Sequence, residues 1–193
     1  MNRKLVRTLC ALGILMSLTA TVIPEEKDKP IVRYRAFAVN PLGSARTSAG
    51  VVEMAVTRWS TDEEREALIT TLKEKGSTAL LNALTKLPPV GFIRMPNTLG
   101  WSLYYARQTE QPDGGKRVVL ATNRPLRFGE VANQSRSVNY DFTVVEMHFP
   151  KSGKGEGKIA TAAKVWFNTK THQIEIENYN ALPVQLKDVS EAK

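Results

Sequence analysis

Two histidines, His148 and His172, and a scatter of carboxylates are the side chains with which this chain could do acid–base or metal chemistry. His148 follows Glu146 by two positions in the run Tyr140 to Phe149, which reads as a strand. Residues two apart on a strand share a face, so Val144, Glu146 and His148 point the same way. A histidine beside a carboxylate can relay a proton or hold a metal ion. A closed zinc site needs four ligands, however, and His172 falls in a polar turn. The expectation is no metal and no cofactor, with His148 solvated or paired across strands.

Glu175 and Glu177 form a second pair on the strand Gln173 to Tyr179, roughly 6–7 Å apart by strand rise. That spacing overlaps the separation of glycosidase carboxylates, which flank a cleft from different elements. Here both acids lie on one strand, and Lys187 on the next strand is placed to neutralise them. The glycines of Gly153-Lys-Gly-Glu-Gly-Lys158 superficially suggest phosphate binding. Three residues separate them where a P-loop has four, Ile159 stands where Ser or Thr should, and a strand follows instead of a helix. The stretch reads as a hairpin turn. Ser44, Ser48 and Ser135 to Ser137 lie in loop-like sequence with no nucleophile elbow or paired base. Asn133-Gln-Ser135 matches a short glycosylation sequon.

Ligand binding is the other chemistry on offer. Trp101, Tyr104, Tyr105, Trp166 and Tyr179 could line a pocket, with Arg107 or Arg124 anchoring an anion. Ala160 and Ala162 alternate onto the face of Trp166, and small residues beside a large ring can leave a concavity on a curved sheet. Trp166, Ala160, Ala162, Arg107 and Arg124 are therefore the candidate ligand-binding residues. Core packing competes for most of the rings.

These residues must be positioned by strands. Ile31 to Val39, Val51 to Trp59, Trp101 to Thr109, Lys116 to Thr122, Tyr140 to Phe149, Lys158 to Phe167, Gln173 to Tyr179 and Pro183 to Val189 all read as strands, with a shorter candidate at Gly91 to Met95. Lys116 to Thr122 is apolar on both faces, as a strand covered on both sides should be. Gln173 to Tyr179 and Pro183 to Val189 read as a hairpin with Ile174 and Ile176 on its dry face. After the second strand the period changes. Ser60 and Thr61 each have a glutamate three residues on, as a capping box requires. The spacing predicts a helix from there to Gly76 and a second from about Ser77 to Leu87, stopped by Pro88-Pro89. The predicted fold is one α+β domain over residues 30–189. Its sheet is a curved, mainly antiparallel meander of seven or eight strands, able to curl towards a barrel, with an inserted helical hairpin.

The ends read differently. Arg3, Lys4 and Arg7 precede an uncharged, mostly apolar run from Thr8 to Ile23, and residues 24–29 are a charged linker. This is the layout of a signal peptide over residues 1–23, with cleavage near Ala20. The alternative is an inner-membrane anchor through residues 8–23, a run short for a span. Cleavage would remove the only cysteine, Cys10, and would lower the net charge of +8 by three. Residues 190–193 read as a tail. Hydrophobic residues make up 42% and charged residues 24%, which suits a folded core.

Arg58-Trp-Ser-Thr61 before Glu64-Arg65, then Pro112-Asp-Gly-Gly115, Gly155-Glu-Gly157, and Glu177-Asn-Tyr179 with Pro183-Val184 resemble an uncharacterised family of exported bacterial proteins. That resemblance covers most of the chain after the linker. It implies export and supplies no site.

The reading at this level is an exported protein, periplasmic or secreted, that binds a small apolar or anionic ligand or a cell-envelope partner without catalysis. The mature chain would carry no membrane span. Its basic residues are dispersed, so nucleic acid is not the expected partner. A hydrolase using carboxylates or His148 is the alternative.

Overall fold

The computed structural model describes residues 29–41, 49–125, 141–178 and 182–192. The leader, the loop serines, the sequon and Tyr179 lie outside the described residues. The elements run β1 (Val32–Val39), β2 (Ala49–Val56), α1 (Asp62–Thr85), β3 (Gly91–Arg94), β4 (Trp101–Leu103), β5 (Tyr105–Glu110), β6 (Lys116–Thr122), β7 (Phe142–Phe149), β8 (Gly155–Asn168), β9 (Gln173–Asn178) and β10 (Val184–Ala192). All pairings are antiparallel, in the order β4-β3-β2-β1-β10-β8-β7-β6-β5, with β9 added to β8. The fold is thus α+β, with a curved meander sheet that nearly closes into a barrel. Two meanders, β1–β4 and β5–β8, are zipped together by β10, which lies between β1 and β8.

Alternation decides which residues go inside. Val32, Tyr34, Ala36 and Ala38 of β1 are buried, while Arg33, Arg35 and Phe37 between them are exposed. They meet Val52, Met54, Ile93, Leu103, Leu120, Met147, Ile159 and Leu186 in one cluster that fills the curve of the sheet. Strands β6 and β7 are apolar on their outer side too. Val119, Ala121, Phe142 and Val144 join Leu68, Leu72, Leu80 and Leu84 of α1 in a second cluster. The two-faced pattern read in Lys116 to Thr122 therefore reflects barrel interior on one side and helix on the other. The helix breaks at Gly76, whose φ of 78° is left-handed. It thus comprises two helical segments that meet at Gly76, where the sequence places the break, and Leu68 and Leu72 of the first and Leu80 and Leu84 of the second enter the same cluster.

Several local expectations are corrected. Ten strands are present among the described residues. β9 does not pair with β10. Each follows the same edge of β8, β10 against Gly155–Ile159 and β9 against Ala163–Asn168. Ile174 and Ile176 are consequently about half exposed, and Lys164, not Lys187, stands opposite Glu177. The strand expected over Trp101 to Thr109 is interrupted at Tyr104. The Tyr104 N–H donates to the Ala121 carbonyl, 2.9 Å, while Tyr105 also pairs with Ala121. Two residues thus oppose one, and the bulge brings Leu103 and Ala106 to the same interior. It also joins the first meander to the second without a turn. β10 runs on to Ala192, into the segment expected as a tail.

Candidate functional site

The described residues enclose an open cleft of about 450 Å³ at one end of the barrel. Alternate turns of a meander lie at the same end of its sheet. The β5–β6 turn supplies Gln111 and Asp113, and the β7–β8 turn supplies Pro150 and Lys154. The first turn is held locally. The Gln111 N–H donates to the Gly115 carbonyl, 2.8 Å, and the Asp113 carboxylate accepts from the Gly115 N–H, 2.9 Å. β10 supplies Lys187 and Asp188 through a bulge. One extra β10 residue stands against both β1 and β8, and Asp188 has a φ of 51°. The bulge keeps Leu186 and Val189 both inside while aiming the two charged residues at the cleft.

Phe149 joins the cleft to the core. Its ring packs 5.5 Å from the buried ring of Tyr34, and the Lys116 ammonium sits 5.0 Å above it. Lys116 also pairs with Glu191. Burial and the Glu191 carboxylate push the Tyr34 hydroxyl well above the usual tyrosine range. A side chain at Gly155 would strike the Phe149 ring at 2.7 Å, so glycine is what lets this ring lie there. The remaining charges form loose pairs. Lys154 lies 3.4 Å from Asp188 and Lys187 lies 4.0 Å from Glu156, with all four side chains mostly exposed.

Beside the cleft, Glu146 is the centre of a cationic clasp. It accepts hydrogen bonds from Arg117 at 2.6 Å and Lys158 at 3.0 Å, and the His148 Nε2 lies 3.3 Å away. Burial pushes the Glu146 carboxyl up, but Lys158 and Arg117 together outweigh it and hold it below the usual carboxylate range. A carboxylate held ionised by two cations is a weak proton acceptor.

The five candidate ligand residues are not gathered around this cleft. β8 carries an extra residue between Ala160 and Ala163 relative to β7. Ala160 and Ala163 therefore both face the helix-side cluster, and Ala162 turns away with Trp166. Ala160 and Ala162 do not share a face, because the bulge shifts the alternation. Trp166 stands opposite Glu175, with Lys164 5.9 Å from its ring. Arg107 is bound to Asp62 at the start of α1, 2.6 Å. Arg124 is exposed, and its carbonyl accepts from the Thr143 hydroxyl, 2.9 Å. Glu175 accepts from Asn168, 2.5 Å, and lies on the β9 edge.

Sequence reasoning missed Lys116, Lys154, Glu156, Lys187 and Asp188. The available signal was the shared end of the two hairpin turns, together with Lys187-Asp188 interrupting the alternation between Leu186 and Val189. Among the described residues, no group of three or more His, Cys, Asp or Glu could hold a metal ion, and no helix is long and apolar enough to cross a membrane. No family model matches this chain, and neither does any curated protein or solved structure.

Proposed function

We propose that this is an exported, non-enzymatic binding protein that takes a small anionic ligand, a carboxylate or phosphate, in the cleft at the end of the barrel. The observation that carries this reading is the convergence of Lys116, Lys154, Lys187 and His148 on one open cleft from separate strands and turns. Lys154 and Lys187 are held only by exposed ion pairs, each worth no more than about 1 kcal/mol. An incoming anion would compete with Asp188 and Glu156 for those ammoniums, against weak, solvent-screened pairing. An apolar ligand has less support, because large side chains such as Tyr34, Met54, Met147 and Leu186 fill the barrel interior.

The hydrolase alternative draws on the 3.3 Å contact between His148 and Glu146. The clasp of Arg117 and Lys158 weakens Glu146 as a base, and among the described residues no hydroxyl or thiol lines the cleft beside His148.

The test is a screen of small carboxylates and phosphates by thermal melting, followed by NMR titration. A ligand of the cleft should shift the amides of Gly155 and Lys187 and should bind at least about tenfold more weakly to the Lys154→Ala, Lys187→Ala double variant. Shifts confined to Ala162 and Trp166 would move the site to the other half of β8. Substrate turnover that His148→Ala abolishes with folding intact would establish the hydrolase instead.

A further inference from the structure

The outer face of β1, with its neighbours β10, β2 and β3, is left uncovered by α1, which packs on β8. Cross-strand register lays out what this face presents. Arg33 stands opposite Ala55, and Ala55 opposite Phe92. Arg35 stands between Ser190 and Glu53, and Glu53 is opposite Arg94. Phe37 stands between Lys187 and Val51. From Ile31, just before β1, into the strand the exposed order is Ile31, Arg33, Arg35, Phe37, so two cations are bracketed by two apolar side chains over roughly 20 Å.

The charge on this face is unbalanced. Glu53 is the acid within it, and Arg94 engages it at 2.9 Å while lying 5.3 Å from the Phe92 ring. Arg35 stands opposite this same Glu53, and among the described residues neither Arg33 nor Arg35 makes an ion pair. Ile31 and Phe37 are 47% and 46% exposed, so each offers about half of its apolar side chain to a partner. The arrangement lies on the outside of the nearly closed sheet, spread over four neighbouring strands. Ile31 cannot stack on a base, and the Phe92 ring already carries Arg94.

We propose that this face docks on an anionic lipid surface. Arg33 and Arg35 contact lipid phosphates, and Ile31 and Phe37 enter the boundary between headgroups and acyl chains. Guanidinium groups suit this role because they form paired hydrogen bonds to phosphate. The proposal stands apart from the cleft, and its test leaves Lys187 unchanged so that either can fail alone.

The experiment is co-sedimentation of the full chain with vesicles of phosphatidylcholine, alone or mixed with phosphatidylglycerol, at low and high salt. Variants share residues 1–28 with the parent, so any contribution of that segment cancels. The parent should bind the anionic vesicles more tightly and lose that preference in high salt. At about one charge contact per arginine, Arg35→Gln should weaken binding about fivefold and Arg33→Gln with Arg35→Gln about thirtyfold. Phe37→Ser should weaken binding at both salt concentrations. These positions are exposed and unpaired, and an unchanged melting curve checks that each variant folds. Equal binding of anionic vesicles by the parent and the arginine double variant overturns the proposal. Arginine-dependent binding to single-stranded nucleic acid without vesicle binding overturns it in favour of a nucleic-acid face.

Discussion

Ser60 and Ala106 exchange two hydrogen bonds across the junction between β2, α1 and β5. The Ser60 N–H donates to the Ala106 carbonyl at 2.8 Å, and the Ala106 N–H donates to the Ser60 Oγ at 3.1 Å. The neighbouring Thr61 caps the helix. Its hydroxyl accepts from the Glu64 N–H at 3.2 Å, and the Glu64 carboxylate accepts from the Thr61 N–H at 3.0 Å. Two adjacent hydroxyls, equally good cap candidates in sequence, thus hold different things.

Their removal should be distinguishable. Thr61→Ala loses a cap and should cost about 1 kcal/mol. Ser60→Ala leaves the fully buried Ala106 N–H without its acceptor and should cost about 1–3 kcal/mol. Urea midpoints measure both, and amide exchange separates them. Faster exchange is expected at Glu64 in the first variant and at Ala106 in the second. Unchanged exchange at Ala106 in Ser60→Ala would mean the junction is held by other contacts.

Acid should weaken the fold through two carboxylates. Arg58 donates two hydrogen bonds of 3.0 Å to Glu64, which outweigh its burial and with the Thr61 N–H hold its carboxyl below the usual range. Glu146 is held low by Lys158 and Arg117 against the upward push of burial. A carboxyl depressed in the folded state stabilises above its unfolded value, about 4.3, and that contribution fades as pH falls through the folded value. The urea midpoint should therefore be flat with respect to these groups near neutrality and should decline below about pH 4.3. Glu146→Gln should be less stable than the parent at pH 7 and should approach it at low pH. A constant difference between the two across that range would show that Glu146 is not a source of the acid sensitivity.

How much of this was legible in sequence depends on whether alternation ran unbroken. β1 and β6 were readable because every second residue goes inside, and the two-faced β6 correctly implied cover on both sides. The bulges were not readable in the same way. Tyr104, the extra residue in β8 before Ala163, and Lys187-Asp188 each shift the pattern by one, and each moves a site inference with it. Ala160 left the face of Trp166 for that reason. The glycines misled for another reason. Gly155 and Gly157 lie inside β8, where a side chain at Gly157 would come within 2.3 Å of the Glu146 carbonyl. They are small because β7 passes close, whereas Gly153, with a φ of 102°, is the one that turns the chain. A run of glycines gives no local sign of which of these two constraints applies.

The β10 bulge gives the last prediction, because it links the backbone to the cleft. Asp188 holds a φ of 51°, a conformation that aspartate and asparagine tolerate and β-branched residues resist. Its ion pair with Lys154 is exposed and contributes little. Asp188→Asn keeps the backbone preference and removes the charge, so its urea midpoint should stay within about 0.5 kcal/mol of the parent. Asp188→Val should lose about 1–2 kcal/mol, because the branched side chain disfavours the left-handed conformation. With the fold intact, Asp188→Asn frees the Lys154 ammonium and should strengthen binding of a small anion in the cleft. Asp188→Val folding as well as the parent would show that β10 can flatten. Its register would then slip, and Val189 would leave the core for the face that now carries Lys187.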